Sequence, residues 1–472
     1  MNRARLNRIF VSRASAAAIF LITFFVPAMA RPEFHAGAVI PKVTCIADPG
    51  ESYALYLPSG YSPSRKWPII YLFDPGARGR VAVEVVREAA EKYGYIVAAS
   101  NNSRNGAQGG STEAANAMWR DTQGRFPIDE RRGYVAGMSG GARVATSIAI
   151  ACKSCVAGVI ANAAGFPTGT APTRAMKFAY FAAVGNADFN YAEFVELRRT
   201  LDAVGARYHI RVFEGQHGWA PAEVWLEALE WMDLQAMIAG SLAHDESRIA
   251  ASLRDTLARA QAFEEKKDVL AAYREYDSAV RDFGGLADLS VPKARLRELQ
   301  KSKQLKSAEK REASEIEEQD RIEAGPSAQM EKIPSGDLST LELSELRGSF
   351  ADLKRQVASS SPTLLVPRRA LSGLVVQAYE SGQSCVERKD YRAALLYFDL
   401  AAAGSANSGW AHFQRARVYA LSSKEKDMLA ELRLSSKEGF HDAEALDAAE
   451  FQPYSKDPEF QALAAGWKTA VK

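Results

Sequence analysis

Apolar positions repeat in two different ways along this chain, and the change falls near residue 245. Before it, short apolar runs alternate with helix-period segments. Tyr53–Pro58, Trp67–Phe73, Tyr95–Ser100, Val156–Ile160, Phe178–Val184 and Tyr208–Phe213 are short enough to be buried strands. Segments 82–92, 112–124, 191–203 and 221–237 carry helical periodicity between them. This alternation predicts an α/β fold: a mostly parallel sheet with helices on both faces. Residues 31–50 read as an extended lead. After 245 only helical patterns remain, with a helical pair over 246–283 and helices again from about 338.

The boundaries follow from these shifts: 1–30, 31–240, 241–295, 296–337 and 338–472. The stretch 296–337 is dense in Lys, Glu, Arg and Ser, as a solvated helix or a charged linker would be. Gly325-Pro326-Ser327 and Pro334-Ser335-Gly336 predict breaks there. Few of its residues are apolar, so 31–245 is expected to fold and act as an autonomous unit.

The first thirty residues stand apart. Arg3, Arg5, Arg8 and Arg13 precede an apolar run from Ala16 to Phe25, and Ala28-Met29-Ala30 is a small-residue cleavage pattern. This predicts an export signal cleaved after Ala30, a secreted or periplasmic location, and no stable membrane insertion after cleavage, with an uncleaved membrane anchor as the alternative. Export permits disulfides, and Cys45, Cys152 and Cys155 are candidates. A bond within Cys152-Lys-Ser-Cys155, a bond from Cys45 to one of that pair, and free buried thiols are all open. The Cys-x-x-Cys spacing lacks a second ligand pair, so no metal is expected. A net charge of +2 gives no reason to expect nucleic acid.

The chemistry centres on Tyr134-Val135-Ala136-Gly137-Met138-Ser139-Gly140-Gly141-Ala142-Arg143. A strand end, a Gly-x-Ser-x-Gly turn and a small-residue helix are the setting of a nucleophile elbow. Ser139 at its tip requires a histidine to take its proton and a carboxylate to orient that histidine. Of the six histidines, His217 alone lies in a loop straight after a strand, within Glu214-Gly215-Gln216-His217-Gly218-Trp219. Asp188 is the carboxylate of the loop before it. Its alternative role is to cap helix 191–203, and Glu214 is the fallback acid. Two backbone donors should hold the oxyanion. Gly140 N–H is one, and Gly76 or Ala77 supplies the other because Pro75 has no N–H. Asp74 and Arg78 are expected to brace that loop. Asn101, Asn102 and Trp219 are candidate substrate contacts.

Tyr53–Pro58, Asp74-Pro-Gly, Gly-Met-Ser-Gly-Gly-Ala-Arg, Gly-Asn-Ala-Asp-Phe-Asn-Tyr and Gly-Gln-His-Gly-Trp together resemble the alpha/beta-hydrolase superfamily. They are most similar to its secreted esterases of the polyhydroxybutyrate depolymerase and feruloyl esterase type. The resemblance spans about residues 45–240. It implies an eight-strand sheet, no cofactor and a Ser139–Asp188–His217 triad; the expected partner is a small or polymeric ester, and the appended helical region leaves its identity open. A hydrolase-fold scaffold without turnover and a serine peptidase are the competing readings. Only 161–177 separates two strands where a cap domain could sit, so the site is expected to be open or covered by loops and C-terminal helices.

A period of 34 residues marks the C-terminal part. Gly382, Cys385, Ala394, Phe398 and Ala401 are followed by Ala416, Tyr419, Met428, Leu432 and Ser435, and Ala260, Phe263, Ala272, Tyr276 and Ala279 share the spacing. This is similar to the tetratricopeptide family, which implies paired helices and a protein partner. A generic helical hairpin bundle is the alternative.

Overall fold

Parallel strands buried on both faces need continuous apolar runs, and the central runs of this chain supply them. In the computed structural model, residues 34–106, 110–359, 361 and 364–470 are described. The export-signal expectation falls on residues 1–30, outside them. Among the described residues no helix is long and apolar enough to cross a membrane.

The strands are β1 (Val39–Thr44), β2 (Ser52–Tyr56), β3 (Trp67–Phe73), β4 (Ile96–Ser100), β5 (Ile128–Met138), β6 (Gly158–Asn162), β7 (Ala179–Gly185) and β8 (Tyr208–Phe213). They form one sheet in the order β1-β2-β4-β3-β5-β6-β7-β8. β2 pairs antiparallel with β1 and β4, and the pairs from β4 through β8 are parallel. Helices α1 (Gly79–Tyr93), α2 (Ser111–Arg125), α3 (Gly140–Cys152), α4 (Tyr191–Val204) and α5 (Ala222–Ile238) connect or cover the strands. This is a mixed eight-strand sheet with helices. The lead expected at 31–50 contains β1, an edge strand with Pro41 inside it.

The helical region follows as α6 (Glu246–Glu265), α7 (Val269–Asp282), α8 (Ser290–Lys301), α9 (Lys303–Met330), α10 (Thr340–Ser359), α11 (Val366–Glu387), α12 (Tyr391–Gly404), α13 (Gly409–Leu421), α14 (Glu425–Lys437) and α15 (Pro458–Ala470). The charged stretch is helical, and the break expected at Gly325-Pro326-Ser327 does not occur. α9 runs through Pro326 to Met330. Beyond the proline, Ser327 Oγ donates to Gln377 Oε1 of α11, and Met330 and Ile333 enter the apolar cluster of α10–α12. Packing there outweighs the lost N–H of proline. The second expected break, at Pro334-Ser335-Gly336, is where α9 and α10 separate. Gly382 fits its position because a Cβ would come within 2.7 Å of the Phe398 ring of α12.

The two regions share a core. Ile249, Leu253, Ala279, Phe283 and Leu289 belong to the same apolar cluster as Trp225, Trp231 and the α1 face of the sheet. A buried polar network reinforces the join. His209 Nδ1 lies 2.8 Å from Asp282 Oδ2, and its Nε2 lies 3.1 Å from Glu227 Oε1. Arg211 donates to Glu275 Oε1 at 2.6 Å, and Arg259 bridges Glu227 and Glu275.

Cys152 and Cys155 are bonded to each other just past α3. Cys45 and Cys385 are free and buried. Burial, with Asp121 nearby, pushes the Cys45 thiol up to about 12, so it stays protonated.

Candidate active site

Because β3, β5, β7 and β8 run the same way, the loops after them meet at one edge of the sheet. Ser139 follows β5, near the sheet's centre. Its backbone sits at φ 53° and ψ −123°, a region that disfavours a side chain. Neighbouring glycines make this turn possible. A Cβ on Gly137 would meet the Phe73 carbonyl oxygen at 2.7 Å, and one on Gly141 would overlap that same carbonyl. Ser139 N–H donates to Asn162 O at 2.8 Å, and Ser139 O accepts from Ala142 and Arg143. The turn is thereby held to β6 on one side and to α3 on the other.

Asp188 follows β7 and is fully buried. His217 follows β8. Its Nδ1 lies 2.9 Å from Asp188 Oδ1 and 3.0 Å from Oδ2. The Phe189 ring lies against the imidazole, with centroids 4.3 Å apart. Asp188 Oδ1 also accepts from Asn190 N–H at 2.8 Å, so the carboxylate shapes its own loop as well as holding the histidine. The N-cap of α4 is Asn190, without a side-chain cap bond. Glu214 is exposed, and the histidine faces Asp188 instead. Among the described residues, neither Ser139 Oγ nor His217 Nε2 makes a hydrogen bond.

The remaining expected positions fall differently. Gly140 N–H begins α3 and has no hydrogen-bond partner among the described residues. Gly76 N–H donates to Asp74 Oδ1 at 2.8 Å, and Ala77 N–H donates to Asp74 O at 3.1 Å. Both donors expected of that loop are turned inward. Asp74, which is buried, also binds Arg78 Nε at 2.9 Å and accepts from Trp219 Nε1 at 2.9 Å. Trp219 therefore braces the base loop against the β3 loop, with its ring against Trp225. Asn101 Nδ2 donates to Pro41 O at 3.1 Å. Asn102 accepts from Ser52 N–H and donates to Gly50 O. These two amides tie the end of β4 to β1 and β2, and they do not join the triad.

Sequence reasoning passed over Asn105. Its side-chain oxygen Oδ1 stands nearest Gly140, where an added Cβ would overlap it, and Nδ2 donates to Glu380 Oε1 of α11 at 3.1 Å. The loop is pinned by Asn105 N–H donating to Pro75 O at 2.9 Å. Its place beside the β4 strand end was the available signal. Glu323 of α9 was also missed. Its Oε1 would lie 3.0 Å from a Cβ on Gly373, which itself borders Phe189. Burial raises this carboxyl to about 7. Among the described residues no group of three or more His, Cys, Asp or Glu could hold a metal.

No family model and no curated protein matches the sequence. Among solved structures, an S-formylglutathione hydrolase from Staphylococcus aureus is similar over 41% of this chain and 96% of its own. The identity is 13% and the TM-score 0.34. A ferulic acid esterase is similar over 42% and 96%, at 16% identity and a TM-score of 0.32. A dipeptidyl peptidase 4 from Porphyromonas gingivalis is similar over 41% of this chain and 35% of its own, at 14% identity and a TM-score of 0.31. Likenesses at this level do not bear on the substrate.

Proposed function

We propose that the chain is an exported serine hydrolase that cleaves carboxylic esters through an acyl-enzyme on Ser139. The observation that carries this reading is the His217 imidazole held by both oxygens of a buried Asp188, at the sheet edge where Ser139 stands on a strained turn. Asp188 fixes the imidazole with Nδ1 as the donor, which leaves Nε2 to take a proton. Ser139 Oγ attacks the ester carbonyl carbon as its proton passes to His217 Nε2. Gly140 N–H, at the positive end of α3, faces the charge that develops on the carbonyl oxygen. Collapse of the tetrahedral species breaks the bond to the alkoxy oxygen, which leaves with the proton from His217. Water then attacks the acyl-enzyme by the same route and regenerates Ser139.

The Cys152–Cys155 bond supports export, because such bonds persist in oxidising compartments. The helical hairpins after α10 are read as tetratricopeptide-like and as the place where a protein partner would bind. Hydrolysis of a short-chain aryl ester tests the catalytic reading. Ser139→Ala should lose on the order of a million-fold in turnover. Asp188→Asn should lose about ten-thousand-fold by favouring the wrong tautomer. Near-normal activity in Asp188→Asn together with a dead Glu214→Gln would transfer the acid role to Glu214.

A further inference from the structure

Four positions of α11 face the hydrolase sheet. Arg369, Gly373, Glu380 and Glu387 are spaced by four and seven residues, which puts them on one side of the helix. Arg369 Nε donates to Asn186 O at 2.7 Å, on the Asp188 loop. A Cβ on Gly373 would stand 3.2 Å from Phe189 Cβ. Glu380 accepts from Asn105, beside Gly140. A Cβ on Gly106 would stand 2.6 Å from Glu387 Oε1. From Arg369 to Glu380 the helix rises about 16 Å at 1.5 Å per residue. α11 thus spans the site from the acid loop to the loop over the nucleophile turn.

We propose that α11 is the fixed roof of the active site and that Arg369 is a positioning residue for the Asp188–His217 pair. The proposal rests on the serine-hydrolase reading and deepens it.

The geometry around Asn186 is the reason. Its N–H donates to Phe213 O at 2.8 Å, and its Oδ1 accepts from Gly215 N–H at 3.2 Å. The next residue, Ala187, donates to Gly215 O at 2.9 Å. Asn186 lies two residues before Asp188, and Gly215 lies two residues before His217. One peptide therefore sets the spacing of acid and base, and Arg369 holds its carbonyl. Arg369 is itself 2% exposed and lies over the Tyr191 ring at 3.9 Å. Its Nη1 has no hydrogen-bond partner among the described residues, and the nearest ion-pair oxygen, on Glu315, is 3.9 Å away. A buried guanidinium so weakly paired is costly in stability. Glu312, Glu315, Tyr191 and Asp188 are the titratable groups that face it. Gln319 of α9 adds a second grip on the same loop, donating from Nε2 to Phe189 O at 3.0 Å.

The test compares full-length wild type, Arg369→Ala, Arg369→Lys and a control, Leu374→Ala. Leu374 is buried in α11 and makes no bond to the catalytic loops. Each is assayed for kcat and KM on a short-chain aryl ester across pH, for fluorophosphonate labelling rate, and by NMR for the His217 Nδ1 proton. A 1 Å misplacement of catalytic groups costs on the order of a hundred-fold. Arg369→Ala should accordingly lose about a hundred-fold in kcat with KM within threefold, and its Nδ1 proton signal should broaden or move. Arg369→Lys should recover at least part of the kcat. If Arg369→Ala does not fold, Arg369→Lys is compared with wild type and should fall at least tenfold in kcat. Leu374→Ala should lower the melting temperature without altering the pH profile or the Nδ1 signal. Folded Arg369 variants with kcat, pH profile and Nδ1 signal like wild type would overturn the proposal. A wild type that neither hydrolyses the ester nor takes the probe would instead overturn the hydrolase reading. The Nδ1 signal would still report whether Arg369 positions the pair.

Discussion

Ending the chain at Asp245 should destroy the hydrolase, although every strand and the whole triad precede that residue. The cut removes Ile249, Leu253, Phe283 and Leu289 from the cluster shared with Trp225 and Trp231. Each such side chain contributes about 1.5–3 kcal/mol when fully buried. The matching apolar surface on α5 and α1 becomes wet, so the remaining chain loses on the order of 5–10 kcal/mol. Domains have about 5–15 kcal/mol in total. The cut also takes Asp282 from His209 and Glu275 from Arg211. Those two become solvated, so their loss adds less than the apolar term. Activity suffers separately, because Arg369, Gln319 and Glu380 no longer reach the catalytic loops. The assay is paired: thermal unfolding followed by circular dichroism, and kcat/KM on a short-chain ester, for residues 31–245 against 31–472. The expected result is an insoluble or non-cooperatively melting product with activity below about one per cent. A soluble product that melts cooperatively and keeps kcat/KM within about twofold of the full chain would refute this energetic account.

Two further expectations follow from individual side chains. Gly140→Ala should lower kcat about a hundred-fold, because the added Cβ would overlap Asn105 Oδ1 and displace the nucleophile turn; steady-state kinetics on an aryl ester decides it. Glu323, raised from 4.5 to about 7 by burial, holds its proton in the folded state after the unfolded chain has lost it. Its contribution to stability is therefore complete below pH 4.5 and is lost as pH rises through about 7. Glu323→Gln should flatten the fall in stability between about pH 5 and pH 8, by on the order of 1 kcal/mol after allowance for its partial exposure to solvent, read as a smaller drop in melting temperature over that range. A wild type and variant with parallel profiles would contradict it.

Residues that carry a local signal are legible in the sequence. Short apolar runs mark β2 through β8, and the glycines around Ser139 mark a turn that only small neighbours allow. His217 and Asp188 are legible because each sits straight after a strand in a chain whose strands can be ordered. β1 is not, because Pro41 and Lys42 interrupt its alternation and edge strands tolerate that. The β3 loop misleads for a different reason. Its N–H groups can be counted correctly, but the Asp74 carboxylate that turns them inward acts through a side-chain conformation that no spacing encodes. Pro326 misleads because a proline's local cost can be outweighed by packing against a distant part of the chain, here at Gln377. Arg369 has no local signal at all. It lies 183 residues from the carbonyl it binds, in a helix whose pattern shows only which face is apolar.

If Ser139 is an activated nucleophile, it reacts covalently with an electrophilic probe. The full-length protein is treated with a fluorophosphonate, digested and analysed by mass spectrometry. A single adduct is expected on the peptide containing Gly137-Met138-Ser139-Gly140-Gly141, absent in Ser139→Ala and strongly slowed in a His217→Ala variant. A wild type that stays unlabelled, or an adduct on another serine that persists in Ser139→Ala, would contradict it.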